Sequence, residues 1–333
     1  MICPGYANSG HSMRAHLFAG VVFVFANIVV SAASAQTFPS RPVKLVTDVG
    51  TGGTYDIFAR ALGEELNKKW GQAVVVEPHP GGNGIIGNRA CAEAKADGYT
   101  FCALSNQGLV NSEFLYKNVP YTLASFSPVT NLFYNTQVIV ANAGLGVRSL
   151  DELAALAKAK PGTLNYVAPG TFQRLFFDNF NKKHGTDLVG IPFKGGGDAV
   201  TGVLSGTIPI AFLGGANFAP YVQEGKMVAL AVDAAARSPL FPDTPTLAEA
   251  GITDPMTRNY LALMMPAGTP QAIIAQLYAD VAAITNDPAF RKRHIIDRGL
   301  EPVMDTPEEF ARFLQTDRAL AGALAKSGGI QPQ

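Results

Sequence analysis

The 333-residue chain reads as an α/β protein of two lobes, each a mostly parallel sheet flanked by helices. Three features point there. Short β-branched runs recur along the chain and each is followed by a helical pattern, the signature of βαβ units. The 34 glycines and 22 prolines punctuate many short elements rather than a few long helices. The C-terminal third offers one clear strand and then helices, and one strand cannot form its own sheet, so this segment must return to a sheet built earlier.

Val43 to Thr47, Val74 to Glu77 and Tyr99 to Leu104 read as the first three strands. Between them lie Asp56 to Trp70, with Ile57, Phe58, Ala61, Leu62 and Leu66 at helical spacing, and Ile85 to Ala96. A second series follows at Thr136 to Ala141, Leu164 to Ala168, Val189 to Phe193, Ile208 to Phe212 and Val228 to Val232. Ser149 with Glu152 predicts a capping box, and Pro161-Gly162 stops that helix. Thr171 opens another, whose Phe172, Phe176 and Phe180 form one stripe that belongs to a core. Gly196-Gly197-Asp198 opens a third. Tyr260 to Met264 is the returning strand. Thr269-Pro270 predicts an N-cap and N1 proline before Gln271 to Thr285, and Thr306 with Glu309 a capping box before the last helix. The expected organisation is residues 1–35 as a leader, 36–133 as the first part of lobe one, 134–231 as lobe two, and 232–333 as the remainder of lobe one.

Hydrophobic residues make up 47% of the chain and charged residues 16%, a globular composition. Lysine plus arginine equal aspartate plus glutamate at 26 each, so no basic excess exists to neutralise a run of phosphates, and nucleic acid is not an expected partner. Arg14 and His16 precede an apolar run from Leu17 to Val30, and Ala33-Ser34-Ala35 is a small-residue cleavage site. That run is shorter than the ~20 residues of a spanning helix. The chain is therefore expected to be exported through a cleavable signal peptide and not embedded in the membrane. Residues 1–12 carry no export signal of their own, and the start is either Met1 or Met13. Only Cys91 and Cys102 follow the leader, both where apolar residues belong, and two buried thiols are expected rather than one disulfide.

The recurring chemical feature is a strand end running into a glycine-rich loop and then a helix N-terminus, which aims unpaired N–H groups and a positive dipole end at one place. Gly50-Thr51-Gly52-Gly53-Thr54, Pro169-Gly170-Thr171, Lys194-Gly195-Gly196-Gly197 and Gly214-Gly215-Ala216-Asn217 all have this form. In open α/β sheets the carboxyl ends of the strands face the ligand crevice, so loops from both lobes should meet across it as an anion trap. Gly82-Asn83-Gly84-Ile85-Ile86-Gly87 fits a dinucleotide-binding pattern, yet Pro78 to Gly81 separate it from the strand and no acid follows ~20 residues on. No nucleotide or other cofactor is expected. His79, His184 and His294 are isolated, without zinc-ligand spacing or a nucleophile beside them, so neither a metal nor catalysis is expected.

LVTDVGTGGTYD (Leu45 to Asp56), VVVEPHPGGNGIIGN (Val74 to Asn88), ADGYTF (Ala96 to Phe101), FLYKNVPYT (Phe114 to Thr122), LNYVAPGT (Leu164 to Thr171), IPFKGGG (Ile191 to Gly197), GKMVALAV (Gly225 to Val232), RSPLFPDTPTLAEAG (Arg237 to Gly251) and MPAGTP (Met265 to Pro270) occur in the order and spacing of a known family. From about Phe38 to its end the chain resembles the Bordetella uptake gene (Bug) receptors, the periplasmic solute-binding proteins of tripartite tricarboxylate transporters. The resemblance implies a two-lobed, type II Venus-flytrap fold that closes on a small carboxylate as a monomer and delivers it to integral-membrane transporter subunits. An exported enzyme of the same fold, or a sensory module acting on a carboxylic acid, remains the alternative.

Carried over residue by residue, the resemblance implicates Gly52, Gly53 and Thr54 on one side of the cleft and Pro169, Gly170 and Thr171 on the other. Asp56 matches a family aspartate that meets a ligand amino group in some members, or serves the helix dipole. Ser105 and Asn106 match small polar residues of the cleft floor, and Gly195, Gly196 and Asn217 complete the candidate ligand-binding set. The family's proline-rich first loop is here Asp48-Val49-Gly50-Thr51, which places an acid near the mouth. Arg174, where a histidine is common, is read either as a bidentate clamp on a second carboxylate or as a partner of Asp48. Tyr260 replaces a frequent tryptophan and either stacks on an aromatic ligand or belongs to the core.

Overall fold

A computed structural model describes Met1 and residues 38–168, 170–191 and 196–333. The expected leader beyond Met1, together with Pro169 and Gly195, lies outside the described residues. The first sheet begins with β1 (Val43–Thr47), β2 (Val74–Pro78) and β3 (Thr100–Ser105), connected by α1 (Thr54–Trp70) and α2 (Ile85–Ala92). A π-helical turn, Gln107–Asn111, leads into α3 (Ser112–Leu115) and then β4 (Phe126–Asn135). After Thr136 the chain enters a second sheet: β5 (Gln137–Asn142), α4 (Leu150–Ala159), β6 (Asn165–Val167), α5 (Thr171–His184), β7 (Val189–Gly190), α6 (Gly196–Ser205), β8 (Ile210–Gly214), α7 (Ala219–Gln223) and β9 (Met227–Val232). It returns through β10 (Tyr260–Pro266), α8 (Gln271–Asn286), α9 (Pro288–His294), β11 (Leu300–Pro302) and α10 (Pro307–Ser327).

The strand orders are β11-β4-β10-β3-β1-β2 and β7-β6-β8-β5-β9. Each sheet has a parallel group, β3-β1-β2 and β7-β6-β8, but β10 is antiparallel to both β3 and β4, and β5 to both β8 and β9. The sheets are therefore more mixed than the sequence suggests. The reversed strands are the two that arrive from the other sheet. A strand entering at the edge where its neighbours end has to run away from that edge.

Helical periodicity decides what is buried. Phe58, Leu62 and Leu66 of α1 are inaccessible to solvent and pack with Leu45, Phe101 and Phe133; each side chain contributes roughly 1.5–3 kcal/mol of hydrophobic stabilisation. Phe176, Phe177 and Phe180 of α5 fill the second sheet's core with Phe212. Phe172 of the same stripe departs from it, packing with Tyr260, Phe310 and Leu314 of the first-sheet side. The capping box at α10 forms reciprocally, Glu309 N–H donating to Thr306 Oγ1 and Thr306 N–H to Glu309 Oε2. Ser149 Oγ accepts from Glu152 N–H as expected, while the Glu152 carboxylate accepts from Arg148 N–H.

The expectation of two free thiols is overturned. Cys91 of α2 and Cys102 of β3 form a disulfide, their Cα atoms 6.2 Å apart. Both side chains are fully buried; apolar surroundings suit a disulfide as well as a thiol, so burial alone does not discriminate.

Candidate functional site

Strand direction determines which edge of each sheet carries the chemistry. β4 ends at Asn135 and β5 starts at Gln137, while β9 ends at Val232 and β10 starts at Tyr260. The parallel groups run with β4 in one sheet and with β9 in the other. The carboxyl ends of β1, β3, β6 and β8 therefore all point to the edge where the chain changes sheets. Backbone bonds hold this edge together: Asn135 N–H donates to Asn259 O at 2.7 Å, Gly215 N–H to Thr136 O at 3.0 Å, and Asp233 N–H to Gln137 O at 3.0 Å. Gln137 N–H returns to Asp233 Oδ1 at 2.5 Å.

The candidate residues fare differently at this edge. Gly52 adopts φ 84°, a conformation that favours glycine, and its N–H donates to Asp56 Oδ2 at 2.9 Å. Gly53 caps α1 and Thr54 begins it. Asp56 is buried and also accepts from Arg60 Nε at 3.0 Å. Burial alone raises its pKa, but the Arg60 guanidinium and the Gly52 N–H outweigh this and hold the carboxyl below its usual range. Its Oδ1 is shielded and accepts no hydrogen bond. Gly170 is the N-cap of α5 and Thr171 its first residue. Gly196 begins α6, and Asn217 donates its Nδ2 back to Gly214 O at 2.9 Å, closing its own loop.

Ser105 and Asn106 are buried, and protein groups engage both. Asn106 Nδ2 donates to Arg258 O at 3.0 Å. Ser105 donates through Oγ to Asp48 Oδ2 at 2.7 Å and through N–H to both carboxylate oxygens at 3.0 Å. Asp48 is thus not at the mouth. It lies 4% exposed beneath the start of α2, where Asn88 Nδ2 also reaches Oδ2 at 3.1 Å. Burial dominates and pushes its pKa up to about 7 despite these bonds. Arg174 does not pair with it. Arg174 is exposed, and its Nη2 stands 3.4 Å from Thr171 Oγ1. Tyr260 belongs to the core, fully buried, its hydroxyl donating to Asp317 Oδ2 at 2.9 Å.

The glycines of Gly82 to Gly87 have a packing role. A Cβ on Gly87 would lie 2.5 Å from Asp48 Cα, and one on Gly84 would lie 2.8 Å from both Asp48 Oδ2 and Gly108 Cα. These residues let α2 and the π-helical turn close over Asp48. That need produces the dinucleotide-like spacing.

A narrow cavity of about 10 Å³ at the sheet-changing edge, room for about one water molecule, is lined by Gly170, Thr171 and Gln173 on one side and by Asn83, Gln107 and Asn111 on the other. Gly170 and Thr171 thus meet residues of the first-sheet side, but not the Gly52 to Thr54 loop. The facing carboxamides are absent from the set that sequence reasoning supplies. Asn83 sits at φ 55°, left-handed for a non-glycine residue, and Gln107 to Asn111 form the π-helical turn; such backbone often marks functional positions. Among the described residues, no group of three or more His, Cys, Asp or Glu is placed to hold a metal.

Comparison with known proteins bears on this architecture. Residues 58–330 match the family described as "Tripartite tricarboxylate transporter family receptor" (TctC). The chain is 36% identical over 306 residues to a UPF0065 protein of Bordetella bronchiseptica, covering 91% of this chain and 90% of that one. Among solved structures, Rpa4515 of R. palustris with adipate superposes with a TM-score of 0.78 at 27% identity, over 89% of this chain and 100% of that one. MatC of Rhodopseudomonas palustris with bound malate superposes at 0.71 and 26% identity, over 86% and 100%. The two-sheet fold is that of these proteins and of the periplasmic binding protein BugD, which superposes with a TM-score of 0.75 at 26% identity over 89% of this chain and 100% of that one, and the chain belongs to the TctC family of tripartite tricarboxylate transporter receptors.

Proposed function

We propose that this chain is an exported periplasmic receptor that holds a small organic acid at the sheet-changing edge and delivers it to the membrane subunits of a tripartite transporter. The observation carrying this reading is the shared cavity, into which the N-terminus of the 14-residue α5 opens from one side while first-sheet residues close the other. Unpaired N–H groups and the dipole at such a terminus favour a carboxylate. Gly170 and Thr171 are the proposed contacts there, and Gly52, Gly53 and Thr54, which do not line the cavity, are proposed to reach the acid when the lobes close. Relatives of this fold hold adipate and malate, which supports an acid as the ligand.

In this reading, residues 36–133 with 232–333 form one lobe and 134–231 the other, and the acid touches both lobes only when they close. That differential affinity shifts the population toward the closed form. The leader 1–35 is removed on export, and the receptor works as a monomer. No helix among the described residues is long and apolar enough to cross a membrane. Purified protein should be titrated with a panel of mono- and dicarboxylates while unfolding is followed. Occupancy at 100 times the dissociation constant adds about 2.7 kcal/mol. A flat response to every acid sinks the reading, and N-terminal sequencing that begins anywhere but Gln36 overturns the leader assignment.

A further inference from the structure

We propose that the cavity selects an acid with one carboxylate and a neutral, hydrogen-bond-donating far end, and that Asn111 reads that end. The inference rests on the carboxylate reading above and narrows it. α5 supplies first-turn N–H donors for a single carboxylate. The Gly52 to Thr54 loop at the start of α1, which could serve a second one, does not line the cavity. Among the described residues, none that lines the cavity is ionisable. Arg174 is exposed and turned to Thr171, and Arg258 is engaged by Glu301 at 2.7 Å and stacked 4.0 Å over Tyr134. Behind the wall, Gly84 and Gly108 close over an acid, Asp48. A carboxylate buried against neutral amides without a counter-charge is strongly disfavoured.

The remaining carboxamides are not equally free. Gln173 Nε2 donates to Gln137 Oε1 at 3.1 Å, and Gln107 Nε2 faces Asn259 Oδ1 at 3.5 Å. Asn111 has no such engagement. It is 5% exposed, and its shielded Oδ1 accepts no hydrogen bond. A buried acceptor without a partner is unfavourable, and a ligand N–H or O–H relieves it. A hydroxyl or primary amide can donate to this oxygen, whereas a second carboxylate offers only acceptors. Turning the amide about χ2 exchanges its oxygen for its N–H₂ group; it still brings no positive charge. The neutrality of the wall therefore holds in either orientation.

The test is calorimetric titration with a matched four-carbon series: succinate, its half-amide succinamate, 4-hydroxybutanoate and butanoate. Succinamate or 4-hydroxybutanoate should bind at least ~10-fold more tightly than succinate and butanoate, about 1.4 kcal/mol by the usual conversion. In Asn111→Leu that preference should shrink to within ~3-fold, with the melting temperature unchanged or raised because an unsatisfied polar atom is removed. Succinate binding as tightly as succinamate, or an undiminished preference in Asn111→Leu, overturns this inference and leaves the carboxylate reading standing. If no acid of any kind binds, the carboxylate reading fails and this one with it. Should Asn111→Leu not fold, Asn111→Ser shortens the side chain and is held to the same criterion.

Discussion

Replacing Gly87 by alanine tests the packing account of the glycine-rich turn, because helix propensity and packing predict opposite signs. Gly87 lies within α2, where alanine ordinarily gains about 1 kcal/mol over glycine. Here the new Cβ would fall 2.5 Å from Asp48 Cα, 2.7 Å from its Cβ and 3.0 Å from its backbone nitrogen. Carbon atoms prefer about 3.5–4.0 Å, so α2 must retreat by about 1 Å. The contact is with backbone, and no side-chain rotation relieves it. Retreat is resisted by the Cys91–Cys102 disulfide and stretches the 3.1 Å bond from Asn88 Nδ2 to Asp48. Overpacking costs about 1–3 kcal/mol and a hydrogen bond to a charged group about 1.5–3 kcal/mol, so after the propensity gain the net loss is about 1.5–5 kcal/mol. Gly202→Ala in α6 is the control: its Cβ would meet Ile208 at an ordinary 3.5 Å, and a gain of about 0.5–1 kcal/mol is expected. Urea unfolding midpoints at constant m-value measure both. A Gly87→Ala protein as stable as the parent refutes the argument.

Two further predictions concern stability. The disulfide closes a short loop, its cysteines separated by 11 positions, so chain entropy gives it about 3 kcal/mol; Cys91→Ala/Cys102→Ala should lose that amount in urea, and titration of the chain from Gln36 should find no free thiol before reduction. Burial pushes Asp48 to about 7 against its hydrogen bonds, and Asp233 to about 7 against Arg258 and the Gln137 N–H. The folded state therefore binds protons that the unfolded chain has released above about pH 4. Each group's contribution is fully present below the unfolded value and is lost as pH climbs through about 7, at up to about 1.4 kcal/mol per pH unit. The stability difference between parent and Asp48→Asn should move with pH across that window, and a difference independent of pH rejects the assignment.

Much of the fold is legible because period and punctuation agree. α1, α5 and α10 announce themselves by apolar spacing and caps, and β1, β3 and β10 by β-branched or apolar runs between turn residues. β4 does not. Its Ser127, Pro128, Thr130 and Asn131 are assigned to no element from the sequence, yet the strand is held on both sides by β10 and β11, and tertiary pairing overrides its composition. The disulfide escapes for a related reason, since no local pattern says that α2 lies against β3. At the candidate site, glycine loops are visible in the sequence but their partners are not. Asp48 looks like a rim acid until α2 is placed over it, and Ser105 and Asn106 look available until Asp48 and Arg258 engage them. Asn111 is invisible in the sequence because a lone asparagine after an apolar pair carries no periodic signal; only the π-helical turn makes it part of the wall.

Site and crossing share one edge for a topological reason. A chain that leaves one sheet for another by the shortest route does so at a strand's carboxyl end, which is also the edge where parallel strands expose their loops and helix N-termini. Here the passage from β4 to β5 needs only Thr136, and Gln137 is clasped to Asp233, the first residue after β9, by hydrogen bonds in both directions. The two crossings are thereby tied to each other where they meet the second sheet. Backbone freedom for a relative movement is left to the dihedrals around Thr136 and to the connection between Asp233 and Asn259. A ligand between Thr171 and Asn111, as proposed, would lie beside that pivot, because Gln173 of the cavity wall bonds Gln137 and Asn259 lines the same cavity. Closure would then press the acid against a few fixed groups, and this is why the neutrality of the wall is expected to show in which acid is bound.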